Sequence, residues 1–256
     1  MPHISIRVNE TLLPTYAHPR PSIATDVVTL RFHEGRLEVL LIERKEAPLG
    51  WALPGGFLKV GGPRIELAAA AGDRRDDIDW TLEDCALREL QEEAGVTPFA
   101  LHQFGAYGTA DRDPRGRYVS IAYWTFVHAE RCQPKAGSDA KRFEWRPVAQ
   151  ASGLAFDHDR IVVDAHQNIR QRRHELGLFL DLMPSVFTYP MFLDAYQPFW
   201  EAEHARDRSN LHRKIASLWA DAETDEPLTL PAPRGPGAPP KRYDLRQAKA
   251  AMEPMQ

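Results

Sequence analysis

Residues 88–96 read Arg-Glu-Leu-Gln-Glu-Glu-Ala-Gly-Val and close a stretch, 81–95, whose pattern is helical. Leu82, Cys85, Ala86 and Leu90 recur at three- and four-residue spacing, the period of one helix face. Thr81 suits an N-cap, Asp84 three residues on completes a capping box, and Gly95 suits a left-handed stop. On such a helix Glu89, Glu92 and Glu93 share one face and reach a common point. Like charges at that spacing cost a helix about 0.2–0.5 kcal/mol per pair, so a cation is expected against them. Oxygen ligands with no His or Cys beside them select a hard ion, Mg²⁺ or Mn²⁺, that keeps waters and shares its shell with phosphates. Taken on spacing alone, the three acids also fit a solvated helix face.

Upstream, 23–32 (IATDVVTLRF) and 37–43 (LEVLLIE) are β-branched and apolar runs around His33-Glu34-Gly35-Arg36, the signature of a hairpin. Leu53-Pro54-Gly55-Gly56-Phe57 breaks that pattern sharply. Downstream, strand signals return at 118–127 (YVSIAYWTFV) and around Phe143 to Trp145. Between them, Arg112 and Arg115 flank a rigid Asp113-Pro114 and can aim planar forks at a phosphate or a ribose-linked diphosphate. An ordinary Asp-Pro turn with solvated arginines fits those residues equally. Arg44, ending the second strand, reads either as a phosphate contact or as a surface charge.

A long helical pattern runs from about Asp159 to Leu182 and is closed by Met183-Pro184. After it come two short helices (Tyr189 to about Glu203, Asp207 to Trp219), a short strand near Leu228–Leu230, the loop PAPRGPGAPP (231–240) and Arg242-Tyr243-Asp244-Leu245. Helix, turn, helix and two strands joined by a loop is the winged-helix plan, whose second helix enters a DNA major groove. In that helix Leu211, Ile215, Leu218 and Trp219 form an inward stripe, and Arg208, Asn210, Arg213 and Lys214 lie largely off it. Arginine and asparagine pair bidentately with guanine and adenine edges. Pro198 interrupts the first of the two helices.

The chain of 256 residues suffices for one large domain or two smaller ones. No apolar run approaches the roughly 20 residues of a membrane helix, and MPHISIRVNETLL lacks a secretory pattern, so a cytoplasmic protein is expected. Cys85 and Cys132 are too few for a disulfide framework or a zinc cage. Net charge is −4, and from residue 150 onward 13 bases face 15 acids. That is a poor electrostatic footprint for DNA unless dimerisation gathers the bases on one surface.

The run REL-Q-EE-A-GV at 88–96, with LPGGF (53–57) as its lead-in, resembles the Nudix box of the Nudix hydrolase superfamily. The resemblance implies an α+β chain: a Nudix α/β/α sandwich with a mixed sheet over 1–155, a linking helix and winged-helix domain over 156–246, and a tail over 247–256. It implies that Glu89, Glu92 and Glu93 bind the metal, that Arg88 positions a glutamate, and that the backbone at Gly56 adds a ligand; these four side chains are the expected catalytic set. The family pattern places a further glutamate eight residues before that arginine, where this chain has Trp80. Gly56 to Trp80 spans 24 residues against six in the pattern, an insertion of 18 within about 57–79. Asp79 and Glu83 flank the expected place, and either can stand in.

Residues 104–123 (FGAYGTADRDPRGRYVSIAY) resemble the ADP-ribose-directed Nudix branch, which includes the Nudix-related transcriptional regulators of NAD metabolism. The order of elements after 155, DRSNLHRK at 207–214, and Gly237, Pro239 and Tyr243 resemble those regulators too. The function implied by these resemblances is that of a Mg²⁺-dependent pyrophosphohydrolase for ADP-ribose or a related nucleoside diphosphate derivative, slowed by Trp80, with Arg44, Arg112, Asp113 and Arg115 on the substrate. The alternative is an ADP-ribose-responsive regulator with weak or no hydrolase activity, bound to operator DNA as a homodimer. A third reading keeps the enzyme and gives the winged helix only a dimerising role.

Overall fold

The computed structural model describes residues 5–8, 11–14, 20–60, 78–128, 140–200, 208–228 and 239–252. Strands β1 (Ser5–Val8) and β2 (Thr11–Pro14) pair with each other in a two-stranded sheet. The main sheet is mixed. Its strands β3 (Ser22–His33), β4 (Arg36–Arg44), β5 (Trp51–Ala52), β7 (His102–Tyr107) and β8 (Tyr118–Phe126) lie in the order β5-β4-β3-β8-β7. Two more join off this path: β6 (Gly55–Phe57) on β3 and β9 (Ala140–Pro147) on β4. β3 and β8 run parallel, and the other pairs are antiparallel.

Alternation along the strands explains why both faces are covered. Val27, Leu40 and Tyr123 point to one side, where Ala86, Leu90 and Ala94 of helix α1 (Leu82–Ala94) pack. Their chain neighbours Val28, Val39, Leu41 and Trp124 point to the other, where Ile161, Val162, Ala165 and Ile169 of helix α2 (His158–Gln171) pack. The result is an α/β/α sandwich. α1 starts and stops where local chemistry dictates: the Thr81 hydroxyl accepts from the Asp84 amide at 2.9 Å, the Asp84 carboxylate accepts from the Thr81 amide at 3.0 Å, and Gly95 adopts φ 66°.

α2 is shorter than the 159–182 pattern suggests. Continuing its buried stripe beyond Ile169 would put Arg172 and Arg173 into the core, and the helix ends there instead. Arg172 turns back to Glu175 at 2.7 Å, and residues Leu176–Leu182 wind as a 3-10 segment burying Leu176, Leu178, Phe179, Leu180 and Leu182. Helix α3 (Tyr189–Tyr196) is capped by the Thr188 hydroxyl and gives way to a 3-10 turn, Gln197–Phe199, that accommodates Pro198.

Helix α4 (Arg208–Leu218) follows α3 in the chain, and the expected turn between them falls largely on 201–207, outside the described residues. Of the strand expected near Leu228–Leu230, Leu228 belongs to no strand, and 229–230 fall outside the described residues. The partner of β11 (Arg242–Asp244) is β10 (Val186–Thr188), with one added bridge from Glu223 to Tyr243. Trp219 fills the centre of this module, edge-on to Phe187 and Phe192 at 5.1 Å. Part of the expected tail is helix α5 (Leu245–Met252), which buries Leu245, Ala248 and Met252 because one face of that short stretch is apolar.

One continuous apolar cluster runs from the sheet through α2 into this module. Phe126 of β8, Phe179 and Phe199 lie 5.3–5.6 Å apart, centre to centre, and share that cluster with Trp219.

Candidate functional site

A cavity of about 380 Å³ opens at the β6 end of the sheet. Its lining comes from six places in the chain: β3, the β4 end, the Leu53–Phe57 turn, α1, the Arg112–Tyr118 segment leading into β8, and the residues just before and in the first turn of α2. The cavity has an acidic end, a charged wall and an aromatic end.

The acidic end holds Glu89 and Glu93 of α1 against Gly55 and Gly56. A Cβ on Gly56 would stand 2.4 Å from the Glu89 carboxylate, and one on Gly55 would stand 2.2 Å from the Thr25 carbonyl. Backbone therefore bars any side chain at Gly55, and one at Gly56 would displace the Glu89 carboxylate. Burial works against charge on Glu93, with the Gly55 amide donating to it at 2.8 Å and the Glu89 and Asp26 charges adding repulsion, so its carboxyl is pushed up to about 8. Burial also raises Glu89, opposed by Arg88. Glu92 stands apart. Its side chain is 48% exposed against 13% for Glu89, and it pairs with Lys59 at 3.2 Å.

Arg88 organises this end. Its guanidinium donates to Glu89 at 2.6 Å, to Glu92 at 3.1 Å, to the Phe57 carbonyl at 2.9 Å, and through two nitrogens to Asp79 at 2.8 and 2.7 Å. Asp79 also accepts from the Lys59 amide at 2.7 Å. Of the two acids flanking Trp80, Asp79 faces the box arginine, whereas Glu83 accepts from the Tyr123 hydroxyl at 3.2 Å. The Trp80 indole nitrogen is buried with no partner among the described residues.

These residues fit a hard divalent ion. One buried and one half-buried carboxylate, both raised by burial, lie against the Gly55-Gly56 pair, and a cation between them would relieve their repulsion. As they stand, no group of three His, Cys, Asp or Glu side chains among the described residues is close enough to form a cage. Glu92 must leave Lys59 to join one.

The charged wall was only partly legible in the sequence. Asp26 of β3 accepts from the Ser120 hydroxyl, lies 3.3 Å from Arg112 and lies 3.4 Å from His158 Nε2. Burial opposes its charge, but His158, Ser120 and Arg112 outweigh that and hold it at about 2. His158 Nδ1 accepts from the Leu53 amide at 2.9 Å, which leaves its Nε2–H for Asp26. Arg112 is buried and also holds Asp157 at 2.7 Å, so this arginine braces the start of α2.

At the aromatic end, Arg115 is clamped by Asp113 at 2.7 and 3.0 Å. Its guanidinium centre lies 5.6 Å from the Phe57 ring, 5.4 Å from Tyr118 and 5.3 Å from Phe156. Arg44 lines the cavity, donates to the Pro48 carbonyl at 2.8 Å and lies 4.8 Å from the Phe156 ring centre. Phe156, Asp157 and His158 carried no sequence signal. They meet the site only because α2 returns across the sheet, with Leu53 and His158 separated by 105 positions in the chain.

On α4, Asn210, Arg213 and Lys214 are exposed, while Ile215 and Trp219 are buried. Arg213 donates to the Asn210 side-chain oxygen. The Arg208 side chain and Cys132 lie outside the described residues, and Cys85 is a buried free thiol.

Residues 20–165 match the NUDIX domain family. Across 87% of the chain and 86% of the relative, the sequence is 28% identical to the ADPR responsive transcriptional repressor NtrR of Acinetobacter baylyi. It is 34% identical to the ADP-ribose pyrophosphatase of Methanocaldococcus jannaschii over 58% of the chain and 74% of that protein. Among solved structures it is similar to Shewanella oneidensis NrtR complexed with a 27mer DNA, with TM-score 0.65 and 25% identity over 89% of the chain and 95% of that structure.

Proposed function

The chain belongs to the Nudix family, and from that premise we propose that it is a regulator that binds ADP-ribose, or a related nucleoside diphosphate derivative, and reports it to operator DNA. One observation carries this reading. His158 stands in the cavity wall, Asp157 beside it holds the wall residue Arg112, and the helix that His158 begins continues into the apolar core shared with the C-terminal module. A ligand that draws on Arg112 or Asp26 therefore acts at the root of a helix whose apolar face shares one core with α3 and α4. The full-length likeness to a repressor supports the same reading. α4 presents Asn210, Arg213 and Lys214 outward, where an adenine or guanine edge and a phosphate can be met. A homodimer in the cytoplasm completes the proposal, gathering two such helices against the unfavourable net charge.

A mobility shift on the promoter beside the chain's own gene, with and without ADP-ribose, tests it. The expected shift weakens steeply with salt and changes with ADP-ribose. Absence of a shift, or one indifferent to both, removes the regulator.

A second reading, hydrolysis, rests on Glu89 and Glu93 facing the Gly55-Gly56 turn. Those two carboxylates, with Glu92 swung inward, would hold Mg²⁺, which when bound neutralises a diphosphate and activates a water. Arg88 fixes Glu89, the Gly55 amide fixes Glu93, and Asp79 fixes Arg88. Trp80 adds no carboxylate, and the expected rate is low. Purified protein with Mg²⁺ and ADP-ribose, NADH, diadenosine polyphosphates or nucleotide sugars decides this: no turnover of any leaves the regulator alone.

A further inference from the structure

Four flat groups gather at one end of the cavity. Phe57 comes from β6, Tyr118 from the start of β8, and Phe156 from the link into α2; the first two rings lie 5.2 Å apart. All three surround one guanidinium, that of Arg115, at 5.3–5.6 Å. The edge of that guanidinium is already committed, because Nε and Nη2 donate to the Asp113 carboxylate, which also accepts from the Arg115 amide at 2.9 Å. Asp113 is buried, and its charge offsets that of the arginine. What Arg115 offers to a ligand is therefore its flat face rather than a fork for phosphate, and a guanidinium face and aromatic rings both stack on planar π systems.

Phe156 is placed there at a conformational cost. Its φ is 59°, a left-handed value disfavoured for a bulky side chain. The backbone is pinned on both sides: the Ala155 amide donates to the Trp51 carbonyl at 2.8 Å, and the Gly153 and Leu154 amides donate to the Asp159 carboxylate at 2.9 and 2.8 Å. Strain held in this way concentrates at ligand sites, and here it turns a large ring into the cavity. The other end of the same cavity, Glu89 and Glu93 beside Gly55-Gly56, suits a metal-bridged phosphate, and Gly56 and Phe57 are consecutive residues.

We propose that Phe57, Tyr118, Phe156 and the Arg115 face form a nucleobase subsite, which holds the planar end of the ligand by stacking while its diphosphate reaches the glycine turn. The subsite deepens the reading of this cavity as a nucleotide site and rests on it. It also reassigns Arg115 from the diphosphate to the base.

The test compares ligands with and without a base on the full chain. Phe156→Leu and Tyr118→Leu each remove a ring while keeping an apolar side chain, and Phe156→Trp keeps a ring. Calorimetry with ADP-ribose in EDTA, and with Mg²⁺ pyrophosphate as the base-free probe, gives two affinities per variant; melting curves report folding. Either leucine variant should weaken ADP-ribose at least about tenfold, the scale of one stacked base, and leave pyrophosphate unchanged, and Phe156→Trp should restore ADP-ribose. Quenching of an etheno-adenine ADP-ribose by the wild type, lost in Tyr118→Leu, reports the stack directly. Unchanged ADP-ribose affinity in both leucine variants overturns the subsite, as does an equal loss for pyrophosphate in folded protein. If Phe156→Leu fails to fold, Tyr118→Leu decides. Should the wild type ignore ADP-ribose yet bind NADH or a diadenosine polyphosphate with the same sensitivity, the ADP-ribose reading falls and the subsite stands; binding of no base-bearing diphosphate removes both.

Discussion

Glu93 is a carboxyl whose burial, and whose neighbours Glu89 and Asp26, disfavour its charge, with the Gly55 amide as counterweight. Its acidity in the folded chain, about 8, lies above its value in an unfolded one. The stabilisation that comes from keeping the proton is complete below the ordinary carboxylate range and is lost as pH rises through about 8. Metal-free protein should thus lose stability between about pH 5 and pH 8 from this group, and Mg²⁺ should raise the melting temperature more at pH 8 than at pH 6. Glu93→Gln should flatten both trends, and thermal melts across that range with and without EDTA check it. Asp79 acts one contact further out, through the two bonds that fix Arg88. Removing such a support beside a metal site costs about 10–100-fold in metal affinity. Asp79→Ala should show that loss in a Mn²⁺ titration and Asp79→Glu should recover part of it; unchanged affinity in Asp79→Ala would show that Arg88 needs no second acid.

Among the elements, α1 was legible from end to end because everything that defines it is local. Thr81, Asp84 and Gly95 lie within the helix or beside it, and the structure uses each as the spacing implies. Thr81→Ala should cost about 1 kcal/mol, read as a fall of a few degrees in melting temperature. α2 was legible only at its start. Its stripe of Ile161, Val162, Ala165 and Ile169 stops at Arg172, and the apolar run after it winds as a 3-10 segment instead. The β10–β11 pair escaped the sequence because Val186–Thr188 and Arg242–Asp244 are three residues each, too short for a period to show. Phe156 and His158 escaped for another reason: their roles depend on contacts made across the fold, which no local pattern encodes. For α4 the stripe sorted inward from outward positions correctly, since Ile215 and Trp219 are buried and Asn210, Arg213 and Lys214 are exposed. Arg213→Ala should weaken operator binding by about 1–3 kcal/mol and leave ADP-ribose affinity unchanged. A loss of both in a folded variant would place Arg213 in the shared core rather than on DNA.

At the scale of the whole molecule, one helix joins the cavity wall to the core of the C-terminal module. Arg112 bonds both Asp26 in the sheet and Asp157 at the root of α2, and α2 lies against β8 through Trp124, whose indole donates to Asn168 at 2.9 Å. A ligand shifts DNA affinity only by as much as it prefers one arrangement of these parts over another. Linkage then requires DNA to change ADP-ribose affinity by the same factor. Asp157→Asn, which weakens the Arg112 contact without altering shape, should reduce that factor while each ligand still binds alone. The most direct measurement is the operator dissociation constant of the full chain, at one salt concentration in EDTA, as ADP-ribose is raised from zero to saturation. Coupling through α2 predicts a change of at least about fivefold, mirrored in the ADP-ribose affinity with and without DNA. Saturating ADP-ribose that leaves the operator affinity untouched would contradict it.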